Sequence, residues 1–287
     1  MKTKNMTTLH LRKSIGRSPL RLGFLLIGLA WFALSPPAQA VTPPPDGGYP
    51  GFNTAEGNFA LNSLTTGSGN TATGFSALFS LTTGTRNTAT GANALFSLTR
   101  NSTGGGSNTA TGVNALYSAT TIAGVSPFQN TATGANALQS NTTGTNNTAT
   151  GANALRDNTT GYANTAMGVS ALQSNTIEGQ NCAYGFQALQ SNLGEANTAT
   201  GANALQRNTE TDFNTACGLA ALQNNTTGFS NIALGAFAGQ NLTTGSDNID
   251  IGNVGVAGES STIRIGTVGT HANTFIAGIA GSLWREV

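Results

Sequence analysis

The chain has 287 residues, 38 of them glycine, with only 8% charged side chains and a formal net charge of +1. Scattered, such a composition would suit disorder, but here the Gly, Asn and Thr sit in phase with a repeat. Six of the twelve basic residues precede residue 40 and all eleven acids follow it. The chain beyond that point therefore carries −5 and has no basic stripe for a phosphate backbone, so nucleic acid is not an expected partner.

Residues 1–40 read as an export signal. Lys2, Lys4, Arg12, Lys13, Arg17 and Arg21 form a basic leader, and Leu22–Leu34 is an apolar run of thirteen residues, too short to span a bilayer as a helix. Ala38-Gln39-Ala40 is the expected cleavage site, with Ala38 and Ala40 as its small residues, and the mature chain is expected to begin at Val41. No later run is long enough for a transmembrane helix, so no membrane anchor is expected in the mature chain. Its expected location is the cell surface or the extracellular space. Residues 41–52 form a Pro/Gly-rich lead-in.

Residues 53–252 hold twelve copies of one phrase, N-T-A-T-G-A-N-A-L in its fullest form, led by Asn53, Asn70, Asn87, Asn108, Asn130, Asn147, Asn164, Asn181, Asn197, Asn214, Asn231 and Asn248. Most are 17 residues apart. A unit this short buries its apolar face only by stacking on its neighbours, which predicts an all-β parallel β-solenoid of about twelve coils. Each coil is expected to hold two short strands and two turns.

Within the phrase, alternation assigns faces. The residue before the glycine accepts Met167, Tyr184, Leu234 and Ile251 as well as Thr, which predicts that the two Thr columns look inward, with their hydroxyls bonded along the stack. The residue between them is Ala in eleven coils, which predicts an outward column small enough for close approach between chains. The glycine is present in every coil. At Gly74, Gly91, Gly134, Gly151 and Gly201, for example, it implies positive φ or close backbone approach at a corner. Four residues on, Leu61, Leu78, Leu95, Leu116, Leu138, Leu155, Leu172, Leu189, Leu205 and Leu222 form the expected core column. N-T-T-G and L-T-T-G phrases then supply turns. Two coils are longer, near Arg100–Ser107 and Thr121–Gln129. In the second, Pro127-Phe128 is a candidate exposed aromatic contact, against the simpler reading of a neutral loop insertion.

No catalytic, cofactor-binding or metal-binding residues are expected. His271 stands outside any nucleophile–base constellation. Asp212, Asp247 and Asp250 are expected at turns or strand ends as solvating or capping groups, and the repeats lack the Gly-Asp nonapeptide of calcium-binding β-rolls. Cys182 and Cys217 share a parity two coils apart, roughly 9–10 Å, too far for a disulfide. They are expected to be free, buried, Thr-sized fillers, with an intermolecular pair across a symmetry axis as the alternative.

The N-T-A-T-G strands and N-I-A-L-G (Asn231–Gly235) resemble the N-S-V-A-I-G-type repeat of trimeric autotransporter adhesin heads. The opening D-G-G-Y-P-G-F-N-T-A-E (Asp46–Glu56) and the stretch Ile263–Gly281 resemble exported bacterial repeat proteins whose stalks lead into tail-fibre-type chaperone or self-cleaving peptidase domains. The resemblance implies a left-handed β-roll and a homotrimer, with residues 253–287 as a cap or neck segment lacking the family's C-terminal domain. The expected function is a non-enzymatic, exported, adhesin-like rod on a host, matrix or glycan surface that the sequence does not name. A second reading is an ice- or polysaccharide-binding solenoid using the Thr-Ala-Thr arrays, which requires the Thr columns to face outward.

Overall fold

A computed structural model describes residues 49–100 and 106–273. The expected export signal, with Ala38 and Ala40, lies outside the described residues, as does the end of the expected cap segment. Among the described residues no helix is long and apolar enough to cross a membrane.

The architecture is a β-solenoid carrying one thirteen-stranded parallel sheet in sequential order. Its three-residue strands are β1 (Thr54–Glu56), β2 (Thr71–Thr73), β3 (Thr88–Thr90), β4 (Thr109–Thr111), β5 (Thr131–Thr133), β6 (Thr148–Thr150) and β7 (Thr165–Met167). The series continues through β8 (Cys182–Tyr184), β9 (Thr198–Thr200), β10 (Thr215–Cys217), β11 (Ile232–Leu234), β12 (Ile249–Ile251) and β13 (Ile263–Ile265). Register is unbroken: Ala132 pairs with Ala149, Ala149 with Ala166, Ala216 with Ala233. β13 adds a rung within the segment expected to be a cap.

Each coil contributes one strand where two were expected. The Leu-bearing segment is a chain of turns, because it alternates into left-handed backbone: Asn153 has φ 58° and Leu155 φ 50°, and the same pair recurs as Asn136 and Leu138. An extended strand is impossible there. Left-handed backbone costs a non-glycine residue roughly 1–2 kcal/mol, whereas full burial of a leucine is worth about 1.5–3 kcal/mol. The leucines are completely buried from Leu78 through Leu222 and 8% exposed at Leu61. Each buried Leu also donates its N–H to the next coil, as Leu155 does to the Ala171 carbonyl at 3.0 Å. At the leucine, burial and bond together offset the backbone cost, and asparagine visits the left-handed region more readily than other side chains.

The corner glycines meet both conditions at once. Gly134 has φ +133°, and a Cβ there would lie 2.6 Å from the Gly151 carbonyl group. Gly74, Gly91, Gly151 and Gly201 have φ between +127° and +134° and the same close neighbour one coil on. No side chain fits.

The strand faces are reversed from expectation. Ala72, Ala89, Ala110, Ala132, Ala149 and their successors are buried, and the flanking Thr columns face out. The interior decides this. At the strand it is shared with the leucine column and the lead asparagines, which favours a small side chain, Ala in eleven of the first twelve rungs. The outward columns have no volume limit, so they accept Thr, Met, Tyr, Cys, Leu and Ile alike.

Candidate functional site

The lead asparagines are the structural element that residue patterning missed. All twelve are buried. The Oδ1 of each accepts the backbone N–H of the next: Asn147 to Asn130 at 3.0 Å, Asn164 to Asn147 at 3.0 Å, Asn181 to Asn164 at 3.0 Å. Most of their Nδ2 groups also close their own coil, as Asn147 does by donating to the Gly161 carbonyl at 2.7 Å. The amide supplies both on separate atoms, an acceptor oxygen turned to one coil and a two-donor nitrogen turned to its own. The signal was present as an unvarying residue in every coil. Its side chain performs what a turn asparagine does, but across coils.

A second buried column runs Asn141, Asn158, Asn175, Asn192, Asn208 and Asn225, the first residue of the expected turn phrases in three of these coils. Asn158 donates to Asn141 at 2.7 Å and Asn208 to Asn192 at 2.8 Å. Earlier coils carry Leu81, Leu98 and Ala119 in this column.

The long coil at 121–129 closes with a bridge between Ile122 and Val125, which are 51% and 54% exposed. Pro127 is buried and Phe128 half-buried, so the expected aromatic contact is not presented. Its outward residues are the aliphatic pair at the tip.

The acids divide. Asp212 Oδ1 accepts the Glu195 N–H of the preceding coil at 2.7 Å, so it joins two coils where a solvating or turn-capping group was expected. Asp250 is neither in a turn nor at a strand end. It occupies the centre of β12, in the Ala column, 1% exposed, with no hydrogen-bond partner for either oxygen among the described residues. Burial, reinforced by the Glu259 charge and opposed by Arg264, raises its pKa to about 6. Arg264, its register partner on β13, is engaged by Glu259 in a bidentate pair at 2.6–3.0 Å. That hydrogen bond holds the Glu259 carboxyl below its ordinary value. His271 is exposed and its Nδ1 accepts the Thr267 N–H at 2.9 Å. Among the described residues no group of three His, Cys, Asp or Glu side chains is placed to hold a metal ion.

Cys182 and Cys217 are free thiols, but neither is buried. Both stand on the outward face of the sheet, the reverse of the expected fillers. The Cys182 thiol group raises the pKa of its face neighbour Tyr184.

The outward face of the sheet changes chemistry along its length. Rungs β2 to β6 present Thr on both columns, β7 to β10 mix Thr with Met167, Cys182, Tyr184 and Cys217, and β11 to β13 present only Ile and Leu. At that end Ile232 is 45%, Leu234 50%, Ile263 66% and Ile265 53% exposed. No protein-family model matches this chain, and comparison with curated proteins finds no significant match.

Proposed function

We propose that the protein is an exported, non-enzymatic, adhesin-like structural rod that assembles as a homotrimer. The observation that carries this reading is an unbroken in-register stack ending in rungs whose outward residues are all aliphatic and exposed or half-exposed. The N-I-A-L-G likeness to trimeric adhesin heads supports the same reading. The expected Ala interface is withdrawn, since that column is interior. The self-association surface is instead the face of β11–β13. Burying its six half-exposed side chains would contribute on the order of 5–9 kcal/mol gross per chain. Association costs about 4–15 kcal/mol, so assembly depends on concentration and on the whole aliphatic end being present.

Light scattering with circular dichroism on the same sample tests this. A β-rich trimer is expected, converted to folded monomer by Ile249→Asp with Ile263→Asp. A wild-type protein that stays monomeric at every concentration would refute the assembly.

A further inference from the structure

Self-association through the aliphatic end leaves the threonine rungs without a purpose. Strands β2 to β6 set Thr71, Thr88, Thr109, Thr131 and Thr148 in one column and Thr73, Thr90, Thr111, Thr133 and Thr150 in the other, in continuous register. All ten are exposed or half-exposed. None of their hydroxyls bonds to another described residue. Corner threonines behave differently: Thr142, Thr159 and Thr209 each donate to a carbonyl of the next coil at 3.0 Å. Stacking therefore uses the corner hydroxyls and leaves the strand hydroxyls free.

These free groups form a grid. Neighbouring rungs of a sheet stand about 4.8 Å apart, and alternate residues on a strand roughly 6.6 Å apart. A β-branched side chain has few χ1 choices, so each hydroxyl and methyl is held in place before any partner arrives, which lowers the entropic cost of binding. The grid holds no charge and no aromatic ring. The ring ladder elsewhere, Phe79–Phe96–Tyr117, is stacked on itself at 5.1 and 5.2 Å with nearly parallel planes, so its inner ring faces are already covered. A charged polymer finds no counter-charge on the grid, and a sugar finds no ring to stack on. The partner that fits is a neutral, periodic lattice of donors and acceptors with hollows that take methyl groups.

We propose that the β2–β6 face binds ordered water at the surface of ice. The hydroxyls join the lattice as donors and acceptors, and the methyls settle between its oxygens. This does not rest on the trimer, because different rungs carry it.

Thermal hysteresis and ice shaping by the full folded protein test the proposal. Measurable hysteresis is expected in the wild type. Thr111→Tyr with Thr133→Tyr should lose most of it while keeping the wild-type circular dichroism, since Tyr184 already occupies the same column without disturbing the fold. Ile249→Asp with Ile263→Asp should abolish self-association and retain hysteresis. The proposal is overturned by a folded wild type without hysteresis or ice shaping. It is equally overturned by undiminished hysteresis in the double tyrosine variant, or by adsorption to powdered cellulose or chitin in the absence of ice activity.

Discussion

Two stretches of the solenoid share one backbone and fill the same interior column in opposite ways. Coils around Leu81, Leu98 and Ala119 fill it with hydrocarbon and stack Phe79, Phe96 and Tyr117 on the adjoining column. Coils from Asn141 to Asn225 fill it with a hydrogen-bonded amide ladder. In the adjoining column they carry glutamines in all but one coil, which has Arg156, with Gln206 donating to Gln190 at 3.1 Å and Gln223 to Gln206 at 3.0 Å. The apolar version is local, each side chain gaining from whatever surrounds it. The amide version is collective, each residue needing the one before and the one after. The cost shows at the junctions. At one end the column opens against Ala119, which asks for no partner; at the other, Asn225 Oδ1 meets Leu242 and is left without a donor. A fold with translational symmetry can thus change its core chemistry midway, at the cost of an unsatisfied acceptor where the amide ladder ends on hydrocarbon.

The largest expected effect is in the hydrocarbon stretch. Leu98→Ala should cost about 2–5 kcal/mol in chemical denaturation, the range for an enclosed leucine cavity. A loss under 1 kcal/mol would mean that this column is not packed as described.

The amide stretch should respond less to a single change and differently to a concerted one. Asn175→Leu removes the donor to Asn158 Oδ1, 3.2 Å away and buried, at about 1–3 kcal/mol for the stranded acceptor. The turn carbonyls are not stranded, because lead asparagines also reach them: Asn164 donates to the Glu178 carbonyl at 2.8 Å. Replacing all six asparagines of the column by leucine should therefore cost far less than six times the single change, since removing both partners of a buried bond is nearly neutral. Strict additivity in melting experiments would break the contrast.

The most local effect, and the one that vanishes at low pH, lies where neither device operates. Asp250 puts an unpaired carboxylate into the Ala column, with its pKa raised to about 6 from an ordinary 3.8. A raised folded-state value means that stability is fully present below about pH 4 and falls as pH rises through 6. Asp250→Ala, restoring the residue of the other eleven coils, should stabilise the β12–β13 end by ~1–3 kcal/mol at pH 8 and do little at pH 4. Hydrogen exchange of the β12 and β13 amides at the two pH values measures this, and an equal effect at both would contradict it.

Much of this was legible in the residues. The period dictated stacked coils, the glycine corners followed from a position that never takes a side chain, and Leu61 to Leu222 announced a core column. Strand parity was not legible: T-A-T is symmetric about its centre, and Thr and Ala differ too little in hydropathy to say which looks inward. The larger residues at Met167, Tyr184, Leu234 and Ile251 suggested interior packing, yet tolerance of any size marks a surface without a volume limit, and Ala repeated eleven times marks the confined one. Nor could spacing show that Leu155 and its equivalents sit in left-handed turns, or that a turn-like asparagine bonds one coil to the next. The sequence by itself determined the repeat, its length and its hydrophobic column, because these depend on composition at a fixed interval. Which face is inside, how many strands a coil holds and what the asparagines join were decided only by closing the coil, since they depend on interior volume and on partners 17 residues away.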